Sequence, residues 1–202
     1  MVSEPNRYSV SSALKKTSMT IEDYYQRSTD IRTELIDGEF YDMSSPSFAH
    51  QTICFTLCST FNDYINNNKG NCISIMSPFD VQIKNDDTNM VQPDVMIICD
   101  KDKINDQKIQ GAPDLIVEVV SPSSVAHDRI RKLNLYLDSG VREYWLVDPV
   151  NDEILVYRFE ESVVPVRYSF KDNVPVGIYR NKCKVDFKAI MKLINKWSKT
   201  EE

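Results

Sequence analysis

Between Ser47 and about Asn68 the apolar residues Ile53, Leu57, Phe61, Tyr64 and Ile65 recur at helical spacing, and Lys69-Gly70 closes the run. A long, core-packed helix is predicted there. Upstream, Thr20 and Asp23 have the spacing of a capping box at the head of a short helix, IEDYYQR. TELIDGEFYDM reads as a hairpin turned at Asp37-Gly38, a pair suited to the positive φ values of a two-residue primed turn. Four apolar runs follow, NCISIM, FDVQIK, DVMIIC and DLIVEVV, separated by turn-rich segments such as KNDDTN, and each reads as a strand. A helix from Val125 to Ser139 ends at Gly140, EYWLVD and EILVYRF form a second hairpin, and FKAIMKLINKW is a terminal helix capped by Asp186. The order DLIVEVV, helix, EYWLVD is a strand-helix-strand crossover. The pattern therefore predicts an α/β fold, a mixed central sheet flanked by helices. Residues 1–18 are polar and aperiodic and are expected to be a mobile arm ahead of a single domain over 19–202.

With 202 residues, 42% of them hydrophobic, the chain can bury one sizeable core. No run reaches the length of a membrane span and the N-terminus lacks a signal-type apolar segment, so a cytoplasmic protein with no membrane partner is expected. The net charge of -6 argues against a protein that coats nucleic acid electrostatically. Local charge can differ, and DRIRKLN downstream of Glu118 is a candidate phosphate-facing cluster. The five cysteines have no CxxC spacing and read as small buried hydrophobes. A structural zinc site is not expected, and any bound metal should be oxygen-ligated.

The sharpest chemical signal is a pair of carboxylates. Glu118 lies inside LIVEVV, where an ionised group needs a cation, a metal or hydrogen bonds to offset its desolvation, and Asp94 opens DVMIIC. Two acids on consecutive apolar strands suit Mg2+, or Mn2+ in its place, which takes one or two carboxylates beside a substrate phosphate. A solvated acid at a strand edge is the plain alternative for both. Glu34 is a third candidate acid, against an ordinary exposed cross-strand charge. His50 could hydrogen-bond a phosphate or serve helix packing. At about 100° per residue, Ala126, Ile130, Leu133 and Leu137 form one helix face with Lys132 and Asp128 opposite, which permits an exposed Lys132. Leu135 and Tyr136 flank that lysine, so the second face is not purely polar.

The segment GAPDLIVEVVSPSSVAHDRIRKLNLYLDSGVREYWLVDP, with upstream ELIDGE, SPSFAH and QPDVMI, resembles the Uma-type (Uma-two) restriction endonuclease family, a branch of the PD-(D/E)XK nucleases. The resemblance covers roughly residues 20–160 in the same motif order. It implies a restriction-endonuclease-like core, a magnesium site, DNA as substrate and a homodimer. On this chain Asp94 takes the acidic position of the PD element and Glu118 the first position of the E-x-K element. Val120 stands where the catalytic lysine of that element belongs. Lys132 on the following helix is the candidate replacement, and with Tyr136 it resembles the Gln-x-x-x-Tyr helix motif of related nucleases.

The expected function is a metal-dependent DNA endonuclease using Asp94 and Glu118 as metal ligands, with Lys132 assisting and Glu34 and His50 in supporting roles. Val120 and the acidic composition also fit a non-catalytic scaffold on the same fold. A hydrolase of a small phosphorylated substrate would need the same metal site without an extended basic groove.

Overall fold

The computed structural model describes residues 18–27, 31–120 and 125–198, with side chains from 130 onward in the last segment. The arm expected over 1–18, apart from Ser18, and the side chains of Ala126 and Asp128 lie outside the described residues. The elements run α1 (Ile21–Gln26), β1 (Thr33–Ile36), β2 (Glu39–Asp42), α2 (Phe48–Asn67), β3 (Ile73–Met76), β4 (Asp80–Gln82), β5 (Val95–Ile98), β6 (Lys108–Gln110), β7 (Leu115–Val119), α3 (Val125–Ser139), β8 (Glu143–Asp148), β9 (Glu153–Arg158), β10 (Ser162–Tyr168), β11 (Asn173–Pro175), β12 (Lys184–Asp186) and α4 (Phe187–Trp197). Local chemistry sets several boundaries. Thr20 and Asp23 form the expected reciprocal capping box, Ser47 caps α2 and Asp186 caps α4. Asp37 (φ 50) and Gly38 (φ 74) both take the left-handed conformation that a primed turn between β1 and β2 requires.

The central sheet has six strands in the order β10-β9-β8-β7-β5-β3. Within this sheet, among the described residues, β7 and β8 alone pair in parallel, joined by the α3 crossover, so the sheet is mixed as expected. Side-chain alternation divides the core into two layers. Val95, Ile97, Leu115 and Val117 face Ile53, Leu57 and Phe61 of α2 and Phe187, Ile190 and Ile194 of α4. Met96, Ile98 and Ile116 face Ile36 of the first hairpin and Leu135 and Tyr136 of α3. Each fully buried aliphatic side chain stabilises the fold by roughly 1.5–3 kcal/mol relative to exposure.

Several expectations change. FDVQIK does not enter the main sheet, because β4 pairs with β6 in a separate two-stranded unit. β10 was not legible: Val163, Val164 and Val166 are exposed along it, so it lacks strand-like burial. Lys69 (φ 51), rather than Gly70, takes the left-handed position after α2. The apolar face assigned to α3 was also misplaced, since Ile130 is 68% exposed while Lys132, Leu135 and Tyr136 are buried. Cys72 and Cys99 form a disulfide, and Cys54, Cys58 and Cys183 remain free. That pair falls one position beyond Ile73↔Ile98 in the β3–β5 register, a cross-strand proximity that linear spacing does not reveal. β8 and β9 are interior strands of the sheet, with Trp145, Val147, Ile154 and Val156 buried.

Candidate active site

Antiparallel pairing of β5 with β7 sets Val95 opposite Val117, and one step further along this register lie Asp94 and Glu118. Asp94 is locked there by the Val119 amide, which donates to its Oδ2 at 2.8 Å. Across the cluster, β1 contributes Glu34, whose Oε1 accepts the Gln92 amide at 2.9 Å. Helix α3 closes the arrangement. The Lys132 Nζ lies 2.7 Å from Glu34 Oε2 and 3.1 Å from Glu118 Oε1, and Tyr136, one turn later, donates its hydroxyl to the same Glu118 oxygen. Spacing of i and i+4 puts both α3 residues on one helix face. Helix α2 adds His50, whose Nε2 meets Asp94 Oδ2 at 3.1 Å and whose Nδ1 lies 3.6 Å from the Cys54 sulfur.

All five candidate residues therefore meet in one place. Glu34, Asp94, Glu118 and Lys132 are buried at 3%, 9%, 8% and 5% exposure, so neither acid on the sheet is a solvated edge charge and Lys132 is not a surface residue. The residues that sequence reasoning missed are Gln92 and Cys54. Gln92 holds Glu34 through its main chain, while its side chain binds Arg32, Asp80 and Tyr24. A main-chain donor leaves no compositional trace. Cys54 lies one turn after His50, a spacing that could have drawn attention to it.

The electrostatics of the cluster follow from its burial. Desolvation pushes the Glu118 carboxyl up to about 8, with Asp94 and Glu34 adding to the rise, against the opposing pull of Lys132 and Tyr136. Burial alone would depress the Lys132 ammonium, but Glu118 and Glu34 hold it well above its ordinary value. The ammonium stays charged. Among the described residues three buried carboxylates thus meet one lysine and one histidine, and the acids are in excess. A hard divalent cation suits carboxylate oxygens of this kind, and Asp94 and Glu118 are the residues that would hold one.

Two basic residues of α3, Arg131 and Lys132, are less available than the sequence suggested. Arg131 lies over the Tyr41 ring at 4.4 Å and 3.9 Å from Glu39, and Lys132 is buried. Among the described residues, no helix is long and apolar enough to cross a membrane.

The fold has a counterpart among solved structures. A crystal structure from Anabaena variabilis, described as a "putative nuclease belonging to DUF820", superposes with a TM-score of 0.71 over 86% of this chain and 98% of its own. Its 18% identity makes this a likeness of fold. Residues 21–177 match the model of the Uma2 family, described as "Putative restriction endonuclease", and the chain belongs to that family. It is also 36% identical over 125 residues to "Uncharacterized protein slr1290" of Synechocystis sp., a match covering 61% of this chain and 64% of that protein. The alignment thus spans less than two thirds of the relative's length.

Proposed function

We propose that this protein is a metal-dependent endonuclease that hydrolyses phosphodiester bonds in DNA. The observation that carries the reading is the clustering of three buried acids, with Glu34 and Glu118 on the Lys132 ammonium and Asp94 opposite Glu118, one register step beyond Val95↔Val117. Such an excess of desolvated acid is costly for folding and suits a site that gathers a cation. Asp94 and Glu118 would hold Mg2+ or Mn2+, which supplies Lewis acidity at the phosphate and makes water a better nucleophile. Lys132 orients the Glu34 and Glu118 carboxylates and offsets their repulsion. Tyr136 fixes the Glu118 oxygen it donates to, and the Val119 amide and His50 do the same for Asp94. In this reading Lys132 takes over from helix α3 the electrostatic role left vacant by Val120.

Supercoiled-plasmid nicking in Mg2+, with EDTA and the Asp94→Ala and Glu118→Ala proteins as controls, tests the proposal. Metal-dependent nicking that both substitutions abolish supports it. Absence of nicking by the parent across duplex and single-stranded DNA favours a scaffold. The engagement of Arg131 and burial of Lys132 favour, as a second reading, a small phosphorylated substrate that needs no basic groove. Hydrolysis of nucleotides without cleavage of DNA would select it. A homodimer belongs to the first reading.

A further inference from the structure

Asp94 also meets a second set of donors, supplied by α2. His50 and Cys54 lie one turn apart on the same face of α2, and an imidazole nitrogen, the Cys54 sulfur and an Asp94 oxygen all lie within 4.8 Å of one another. Among the described residues no other group of three histidine, cysteine or acidic side chains lies that close. Glu34 and Glu118 are not part of it.

We propose that His50, Cys54 and Asp94 form a binding site for a borderline-soft transition-metal ion of the Zn2+, Co2+ or Fe2+ type, sharing Asp94 with the hard-cation site. Tetrahedral coordination at about 2.0–2.3 Å places donors roughly 3.3–3.8 Å apart, so a contraction of about an ångström brings the three onto one ion. Nitrogen and sulfur donors select against Mg2+, which prefers oxygen and keeps its waters. Binding exchanges the Cys54 thiol proton for the metal, the proton leaving to solvent, with no change of oxidation state. The expected all-oxygen site is in that case only half of what surrounds Asp94.

The same row of Cys54, His50 and Asp94 has the order of a thiol nucleophile, its base and the group that orients the base. Burial argues against that use. Cys54 is 2% exposed, and desolvation, reinforced by Asp94 and Glu118, pushes its thiol up, whereas a nucleophilic cysteine needs access and a depressed value. A metal ion, by contrast, lowers the thiol's value itself as it displaces the proton.

The inference rests on Asp94 being a cation ligand and not on DNA cleavage. The protein, with its Cys72–Cys99 bond intact, is titrated with Co2+ in excess Mg2+ without oxygen. Expected are visible cobalt bands and a near-ultraviolet sulfur-to-cobalt charge-transfer band that saturate at one equivalent and disappear on adding Zn2+. Cys54→Ser should remove the charge-transfer band, His50→Ala should weaken Co2+ binding at least tenfold, and Cys58→Ser and Cys183→Ser should change neither. Circular dichroism verifies that each variant is folded. Absence of the band in the parent, or its survival in folded Cys54→Ser protein, overturns the site whatever the variants do elsewhere. Mg2+-dependent nicking, measured separately, would stand in either case, so failure here is distinct from failure of the nuclease reading.

Discussion

Lys132 of α3 places its Nζ 2.7 Å from the Oε2 of Glu34 in β1. This contact ties the crossover helix to the N-terminal hairpin through two side chains, each nearly inaccessible to water. Its energetic meaning is asymmetric. The pair adds little to stability compared with an apolar packing, but removing one partner leaves the other as an uncompensated buried charge.

Lys132→Met should therefore destabilise the metal-free protein, by about 3–5 kcal/mol. A divalent cation should restore part of the loss by taking over the ammonium's role. Thermal melts with and without Mg2+ check this, and a melting temperature unchanged by the substitution would contradict the geometry. In the nuclease reading, nicking should also fall by about two orders of magnitude or more.

Glu118 gives a pH signature. Its carboxyl titrates near 8 in the folded chain but near about 4.3 when unfolded, so between these values the folded state binds the extra proton. The stability this contributes is complete below the unfolded value and is lost as pH rises through about 8. Metal-free parent should thus lose melting temperature relative to Glu118→Gln across that window. Mg2+ should flatten the difference by favouring the ionised carboxylate. Parallel curves for the two proteins would show that Glu118 is not the titrating group.

Tyr136→Phe deletes a donor to the Glu118 oxygen while keeping the ring that packs edge-on against Tyr144. The expected loss of stability is about 1–2 kcal/mol. Because that hydroxyl favours the charged carboxylate, the pH profile of cleavage should move to higher pH. A profile that stays in place while turnover falls would assign Tyr136 a different role.

Asp94→Asn retains a side-chain oxygen for the Val119 amide but loses the negative charge. The chain should fold with little change in melting temperature and bind Mg2+ at least tenfold more weakly in calorimetric titration. Equal affinity would place the cation elsewhere.

Much of the cluster was legible because burial and charge conflict openly in the sequence. Glu118 inside LIVEVV announces a compensated acid, and the parallel crossover brings α3 back over the same strand. The misplaced α3 face shows where such reading stops. Helical periodicity ranks faces by apolarity, and it favoured Ile130 over a face carrying Lys132, yet Lys132, Leu135 and Tyr136 are the side chains that turn inward. An ion pair buried by its partners looks, in one dimension, like a solvated charge. The same limit hid the Cys72–Cys99 bond and the Gln92 amide, which depend on register between segments. It also hid β10, whose valines face solvent.

The chain order of the cluster has a consequence for synthesis. Glu34, His50 and Asp94 leave the ribosome well before Glu118, and the ammonium that offsets the acids arrives last, on α3. Until that helix closes over β7 the acids have no shared counter-ion. Assembly of the centre accordingly waits for α3, and a chain truncated before Lys132 would carry the three acids and His50 without the ammonium that offsets them.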